Sequence, residues 1–81
     1  MEFVRGLVVR SIAGHDKGGF FTVLEVCAPY AVICDGKRRS LEHAKRKKQM
    51  HLAAAATILP SSSMETNREI RNALKPFGTQ G

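Results

Sequence analysis

Residues 20 to 36 read Phe-Phe-Thr-Val-Leu-Glu-Val-Cys-Ala-Pro-Tyr-Ala-Val-Ile-Cys-Asp-Gly, a stretch of two apolar runs that are each followed by turn-forming residues. Its first part, Phe20 to Cys27, combines aromatic and β-branched side chains, which suit a pleated, half-buried strand. Ala28-Pro29 predicts a turn, because proline has no N–H to donate to a sheet. A second apolar run follows at Tyr30 to Cys34. Asp35-Gly36 then favours a tight two-residue hairpin turn, which needs positive φ at both positions.

Further strands are predicted on both sides of this stretch. Phe3 to Ile12 is rich in valine, leucine and isoleucine, and the glycine-containing segment Ala13 to Gly19 reads as the loop that follows it. After the Asp-Gly turn we expect a strand from Lys37 to Leu41 and a last short strand around Gln49 to Ala53. About five short strands with closely spaced turns predict a mainly β fold, a small barrel rather than a parallel sheet.

The composition changes near residue 53, which divides the chain into three predicted segments. Residues 1 to 53 form the barrel, residues 54 to 65 a linker, and residues 66 to 81 a short helix and tail. The alanines Ala53 to Ala56 have helical propensity. Pro60-Ser61-Ser62-Ser63 has the composition of a linker.

The C-terminal helix has a recognisable start. Thr66-Asn-Arg-Glu69 matches a capping box, in which the threonine and glutamate side chains bond to each other's backbone N–H. Pro76 limits the predicted helix to roughly Asn67 to Lys75. A helix this short is marginal by itself, so it either packs on the barrel, binds a partner or stays disordered, and the sequence does not decide between these alternatives. Its apolar face would consist of Ile70, Ala73, Leu74 and Phe77.

The positive charge is concentrated in one segment. The chain has a net charge of +6, and seven lysines and arginines stand against the single acid Glu42 between residues 37 and 48, so this segment alone matches the net charge. A charge run is often only a solvated face. Like charges packed this closely repel each other, however, unless a polyanion screens them, which favours binding to nucleic acid.

Several classes of protein are not expected. The chain lacks a run of about 18 apolar residues that would span a membrane, and its N-terminus does not have the pattern of a signal peptide. We therefore expect a cytoplasmic protein with two free thiols, Cys27 and Cys34. The histidines and cysteines lack the close spacing of zinc sites. His15 beside Asp16 has no matching nucleophile, so no enzyme and no cofactor is expected.

The stretch Gly6-Leu-Val-Val-Arg-Ser-Ile-Ala-Gly-His-Asp-Lys-Gly-Gly-Phe-Phe-Thr-Val-Leu-Glu-Val26 resembles a KOW motif. That motif has two short strands flanking a loop with a fixed glycine and a Lys-Gly pair. The chain is similar to KOW proteins of the archaeal and eukaryotic large ribosomal subunit. It is closer still to small KOW-domain RNA-binding proteins of Gram-positive bacteria, especially clostridia. The resemblance covers about residues 3 to 53 and extends to Asn67 to Lys75.

The resemblance implies an SH3-like β-barrel that binds RNA without catalysis. The expected partners are ribosomal RNA and ribosomal proteins, with no membrane, and the free protein is expected to be monomeric. Gly14 matches the fixed glycine and Lys17 would face a phosphate. His15 and Gly19 stand where basic residues are frequent in the family, which moves the main contact toward residues 37 to 48. The predicted RNA-binding residues are Arg10, Gly14, His15, Lys17, Gly18, Lys37, Arg38, Arg39, Lys45, Arg46, Lys47 and Lys48.

Two other functions are compatible with these patterns. Barrels of this kind also serve as protein-interaction modules of transcription elongation factors, binding RNA polymerase. A DNA-binding accessory protein is the third possibility. Phe20, Phe21 and Tyr30 are candidates for base stacking. We expect the Phe20–Phe21 pair in the core instead, and the sequence does not decide between core and surface for Tyr30. Clustered lysines cannot specify a base sequence, so we expect recognition of structured RNA by shape.

Overall fold

Five strands form one antiparallel sheet in the computed structural model, which describes residues 2 to 78. Their order across the sheet is β4-β3-β2-β1-β5. Within the described residues, the outer strands β4 and β5 share no ladder, so the sheet stays open on that side. The predicted mainly β fold with a C-terminal helix is confirmed. The elements are β1 (Leu7–Ser11), β2 (Phe20–Cys27), β3 (Tyr30–Cys34), β4 (Lys45–Lys48), β5 (Leu52–Ile58) and α1 (Asn67–Gly78).

The sheet buries apolar side chains on both faces. Alternation along β1 shows this directly, because Leu7 and Val9 point to one face and Val8 to the other, and none of the three has any exposed surface. The first cluster comprises Leu7, Val9, Phe21, Val23, Ala31, Ile33 and Leu52. The second comprises Val8, Cys34, Met64, Ile70 and Leu74, which brings the sheet and α1 together.

Helix α1 packs on the sheet, which settles the question that the sequence left open. The predicted capping box is present: Thr66 Oγ1 accepts the Glu69 N–H, and Glu69 Oε1 accepts the Thr66 N–H, each at 3.1 Å. The helix runs past Pro76 to Gly78, further than predicted, and the Phe77 ring packs against Phe20 with centroids 5.9 Å apart. No helix within residues 2 to 78 is long and apolar enough to cross a membrane. The predicted tail from residue 79 and Met1 lie outside the described residues.

The alanine segment is a strand, so the prediction of a helix at Ala53 to Ala56 is wrong, and the predicted linker of residues 54 to 65 is strand as far as Ile58. β5 pairs with β1, with Ala53 opposite Arg10 and Ala54 opposite Val9. The helix propensity of alanine is worth less than about 1 kcal/mol per residue, and pairing with a distant strand overrides it. A register shift interrupts this ladder, and Ala56 within β5 has a φ of 58°.

The basic segment after β3 also departs from the prediction. A strand from Lys37 to Leu41 is absent, because the Asp35 carboxylate accepts the N–H groups of Lys37 and Arg39, both at 2.9 Å. The Arg39 carbonyl in turn accepts the Asp35 N–H at 2.8 Å. These bonds close a compact loop of residues 35 to 39, which replaces the predicted two-residue turn. The strand that pairs with β3 is the second basic run, β4.

Both cysteines are free. Cys34 lies in the second apolar cluster with no exposed surface, whereas Cys27 at the end of β2 is half-buried. Burial, together with the neighbouring charge of Asp35, raises the pKa of the Cys34 thiol to about 11. The thiol therefore stays protonated at neutral pH and serves as a small apolar side chain.

Candidate functional site

The loop between β1 and β2, residues 12 to 19, is here called the glycine loop. It is folded onto itself by backbone hydrogen bonds. The Gly18 N–H donates to the Ser11 carbonyl at 2.7 Å, and the Lys17 N–H donates to the Gly14 carbonyl at 3.2 Å. Gly14 and Gly18 have φ values of 80° and 90°, which side-chain-bearing residues rarely adopt. The glycines predicted from the motif are therefore required by the shape of the loop.

Asp16 joins this loop to two of the predicted RNA-binding cations. Its side chain is only 4% exposed, and its Oδ2 lies 3.2 Å from Lys45 Nζ and 3.3 Å from an Arg39 guanidinium nitrogen. Burial raises the pKa of Asp16, but the hydrogen bonds and charges of Lys45 and Arg39 outweigh it and hold that pKa below its ordinary value. The carboxylate is therefore ionised and offsets part of the positive charge.

Lys47 makes a second link between β4 and the glycine loop. Its side chain is buried, and its Nζ donates to the Ala13 carbonyl at 2.6 Å. A Cβ added to Gly14 would lie 3.4 Å from the same Nζ, so the loop passes close to the ammonium group. Lys47 thus has a partner inside the protein and holds the loop beside β4.

The side chains of β4 alternate between two sides of the sheet. Lys45 and Lys47 lie opposite Ile33 and Ala31, on the side of the first apolar cluster. Arg46 and Lys48 project to the other side and are exposed. The Arg46 guanidinium carbon lies 4.8 Å from the centroid of the Tyr30 ring, within the range of a cation–π contact. The basic run is therefore split into two internally bonded lysines and two exposed cations.

Strand β4 is an edge of the sheet, and we call Lys45–Lys48 the basic edge. Consecutive cations on an edge strand oppose the addition of another strand.

Glu42, the one acid of the basic segment, lies away from this edge. Its carboxylate accepts an amide hydrogen of Asn67 at 3.0 Å. This hydrogen bond and others from Glu42's own backbone and from Ser40 lower the pKa of Glu42. The acid therefore stays charged at the start of α1.

The predicted site residues fall into three groups. Lys47 is buried, and Arg39 and Lys45 are half-buried. Within residues 2 to 78, ion pairs form only at Asp16. Nine of the predicted residues are exposed; they are Arg10, Gly14, His15, Lys17, Gly18, Lys37, Arg38, Arg46 and Lys48.

The structure brings the glycine loop, the basic edge and Arg39 together, but places Lys37 beside α1. Asp16 was not predicted as a site residue. Its signal was present in the sequence, since it is the one acid of a loop that precedes a strongly basic segment.

The fold and the site define a small, mainly β domain with a cationic sheet edge braced by a glycine-rich loop. Comparison with models of known protein families and with curated proteins gives no match to this chain. The resemblance to KOW proteins therefore stays a prediction that rests on the residues of the motif.

Proposed function

We propose that this chain is a non-enzymatic RNA-binding protein, associated with the ribosome or with translation, that holds structured RNA through phosphate contacts. The observation that carries the proposal is the basic edge. Four consecutive cations occupy an edge strand, and two of them fasten the glycine loop while Arg46 and Lys48 face solvent. Lys17 adds an exposed cation on the loop itself.

The geometry supports phosphate binding in two ways. The Tyr30 ring restrains the Arg46 guanidinium, so less side-chain freedom is lost when that group forms a bidentate contact with a phosphate. The links from Lys47 to Ala13 and from Lys45 to Asp16 hold the glycine loop in one conformation beside the edge. Rigid placement of both elements reduces the entropy that binding costs.

The charge balance supports a polyanion as the partner. The single negative charge of Asp16 offsets only part of the positive charge of Arg39 and Lys45. The carboxylate of Glu42 is hydrogen-bonded to Asn67 at the start of α1. The remaining cations repel each other in the free protein and would be screened by RNA phosphates. Recognition of this kind depends on the shape of a folded RNA more than on its base sequence. A role in translation would place the protein in the cytoplasm, and it needs no cofactor.

One observation favours a second function, a protein-interaction module of the transcription elongation type that binds RNA polymerase. β5 is the other edge of the sheet, its residues 52 to 58 carry no charge, and Ile58 is 55% exposed. An uncharged edge strand can accept a strand from a partner protein. Such binding would tolerate high salt and would not require the basic edge.

Ribosome sedimentation separates the two functions. In extracts at moderate salt, the wild-type protein should sediment with ribosomal particles and dissociate as the salt concentration rises. The double variant Arg46→Gln/Lys48→Gln should stay in the light fractions, whereas Arg68→Gln, which removes an exposed cation of α1, should sediment normally. A protein absent from ribosomal fractions and without affinity for structured RNA would contradict the proposal.

A further inference from the structure

A second cationic surface lies between α1 and the loop of residues 35 to 39. An open groove of about 340 Å³ runs between them, at the lower end of the range for small-molecule sites, roughly 300 to 1,000 Å³. Lys37 lines it from the loop, and Arg71 and Lys75 line it from the helix. These three cations are separate from the basic edge, and two of them are absent from the residues that the sequence predicted.

The walls of this groove are fixed to each other. The Arg71 guanidinium donates to the Gly36 carbonyl at 2.7 Å. The Gly36 backbone packs so closely on α1 that an added Cβ would collide with the Asn67 carbonyl oxygen. Gly36 also has a φ of 75°, which holds the loop in the shape that reaches the helix. These contacts between the loop and α1 therefore fix the shape of the groove.

The charge of the groove favours an anion. Asp35 is the one acid among its lining residues, against three cations. One oxygen of its carboxylate already accepts the backbone N–H groups of Lys37 and Arg39, which offset part of its charge. Lys37 and Lys75 have exposed side chains that can reach a phosphate without breaking a contact to the fold.

The groove also has an apolar side. Phe20 is half-buried, and its ring is supported by Phe77 at a centroid distance of 5.9 Å. Leu74 lies beside it and is 6% exposed. A supported aromatic ring beside cations is the combination that single-stranded nucleic acid uses, with a base on the ring and its phosphate on the cations.

We propose that this groove binds an unpaired nucleotide segment of RNA, with phosphates on Lys37 and Lys75 and a base against Phe20. The inference rests on the proposed RNA-binding function and adds α1 as a second contact surface. Paired RNA lies along the basic edge, and an adjoining unpaired segment enters the groove. An acidic peptide would contact the same cations, but it would place no planar base against the Phe20 ring.

Titration with pentauridylate, followed by NMR amide shifts, tests this inference on the full chain. The largest shifts are expected at Lys37 and from Arg71 to Gly78, apart from Pro76, which has no amide hydrogen. Lys75→Gln should weaken binding at least about threefold and Phe20→Leu about fivefold or more, from loss of a phosphate contact and of stacking. Arg68→Gln is the matched control, since it removes the same charge from α1 about two turns away without lining the groove.

Four results decide against the groove. Shifts confined to the glycine loop and β4 would overturn the inference and leave the proposed function standing. Equal losses of affinity in Lys75→Gln and Arg68→Gln would show that binding depends on the overall positive charge and not on the groove. A hexaglutamate peptide that shifts the same amides, with the same loss in Lys75→Gln, would identify a protein ligand instead. Absence of binding by both pentauridylate and a structured ribosomal RNA fragment would remove the proposed function as well.

Discussion

Asp16 of the glycine loop and Lys45 of β4 lie 29 residues apart in the chain, yet the carboxylate Oδ2 and the ammonium Nζ are 3.2 Å from each other. The contact joins the element that resembles the KOW motif to the strand whose four residues are all cations. It also gives a role to the one acid of that loop. The glycine loop and the basic edge thus form a single structural unit.

Replacing Asp16 with asparagine should destabilise the fold by about 1 to 2 kcal/mol at pH 7, below the usual loss for a broken buried pair, because both cationic partners are about one-third exposed. The pKa of Asp16 is lowered by folding, so its stabilisation is present above the unfolded pKa, near 3.8, and is lost as the pH falls through the folded value. Urea unfolding at several pH values measures this.

The stability difference between wild type and Asp16→Asn should accordingly shrink as the pH falls below about 4. Other carboxylates titrate in both proteins and cancel in this difference. A difference that stays constant from pH 7 to pH 2 would show that the ion pair is not its source.

Lys47→Met should destabilise the protein by about 1 to 2 kcal/mol, because it keeps the aliphatic stem but removes the charged donor to the Ala13 carbonyl, which then accepts only the Ser11 hydroxyl at 3.1 Å. Lys48→Met is the matched control, since it changes the next residue of the same strand at an exposed position, and it should cost less than about 0.5 kcal/mol. Hydrogen exchange should also speed up in the glycine loop of Lys47→Met alone. Equal stability of the two variants would remove the structural role of Lys47.

Gly36→Ala should be among the most disruptive single changes, at about 3 kcal/mol or more, because the new Cβ combines a positive φ with a collision against the Asn67 carbonyl oxygen. Gly18→Ala separates the two causes. Gly18 has a φ of 90° but no neighbouring atom within 4 Å of the added Cβ, so only about 1 kcal/mol of backbone strain is expected. Denaturant unfolding of both variants measures the difference, and similar values would mean that the loop does not pack on α1 as described.

Ala56→Gly should be neutral or stabilising, because Ala56 has a φ of 58°, a conformation that costs an alanine about 1 to 2 kcal/mol and a glycine almost nothing. Ala54→Gly in the same strand provides the comparison and should destabilise by about 0.5 to 1 kcal/mol. Relative to wild type, the thermal unfolding midpoint should therefore stay the same or rise in Ala56→Gly and should fall in Ala54→Gly. A greater loss of stability in Ala56→Gly than in Ala54→Gly would contradict the left-handed conformation of Ala56.

Local patterns predicted the parts of the fold that neighbouring residues determine. The β2–β3 hairpin and the capping box of Thr66 and Glu69 depend on side chains within a few positions, and both are present. The strand at Lys37 to Leu41 was wrong because the Asp35 carboxylate captures the backbone of the loop. The alanines of β5 were misread because their pairing with β1 lies more than 40 positions away, as in Arg10 opposite Ala53.

The candidate site was predictable in composition but not in arrangement. Clustered charge singled out the basic residues. The alternation that turns Lys47 inward and Arg46 outward depends on the register between β4 and β3, and the Lys47–Ala13 contact spans 34 residues. The groove at Arg71 and Lys75 exists only because α1 packs on the sheet, which the sequence left undecided.

The salt dependence of RNA affinity is the sharpest test of RNA binding through the basic edge. For a structured ribosomal RNA fragment, the logarithm of the association constant should fall linearly with the logarithm of the salt concentration, by about 0.7 to 0.9 for each phosphate contact. Arg46→Gln/Lys48→Gln should reduce this slope by about 1.4 to 1.8 and weaken binding at least about tenfold at low salt. An unchanged slope and affinity in the double variant would contradict RNA binding through the basic edge.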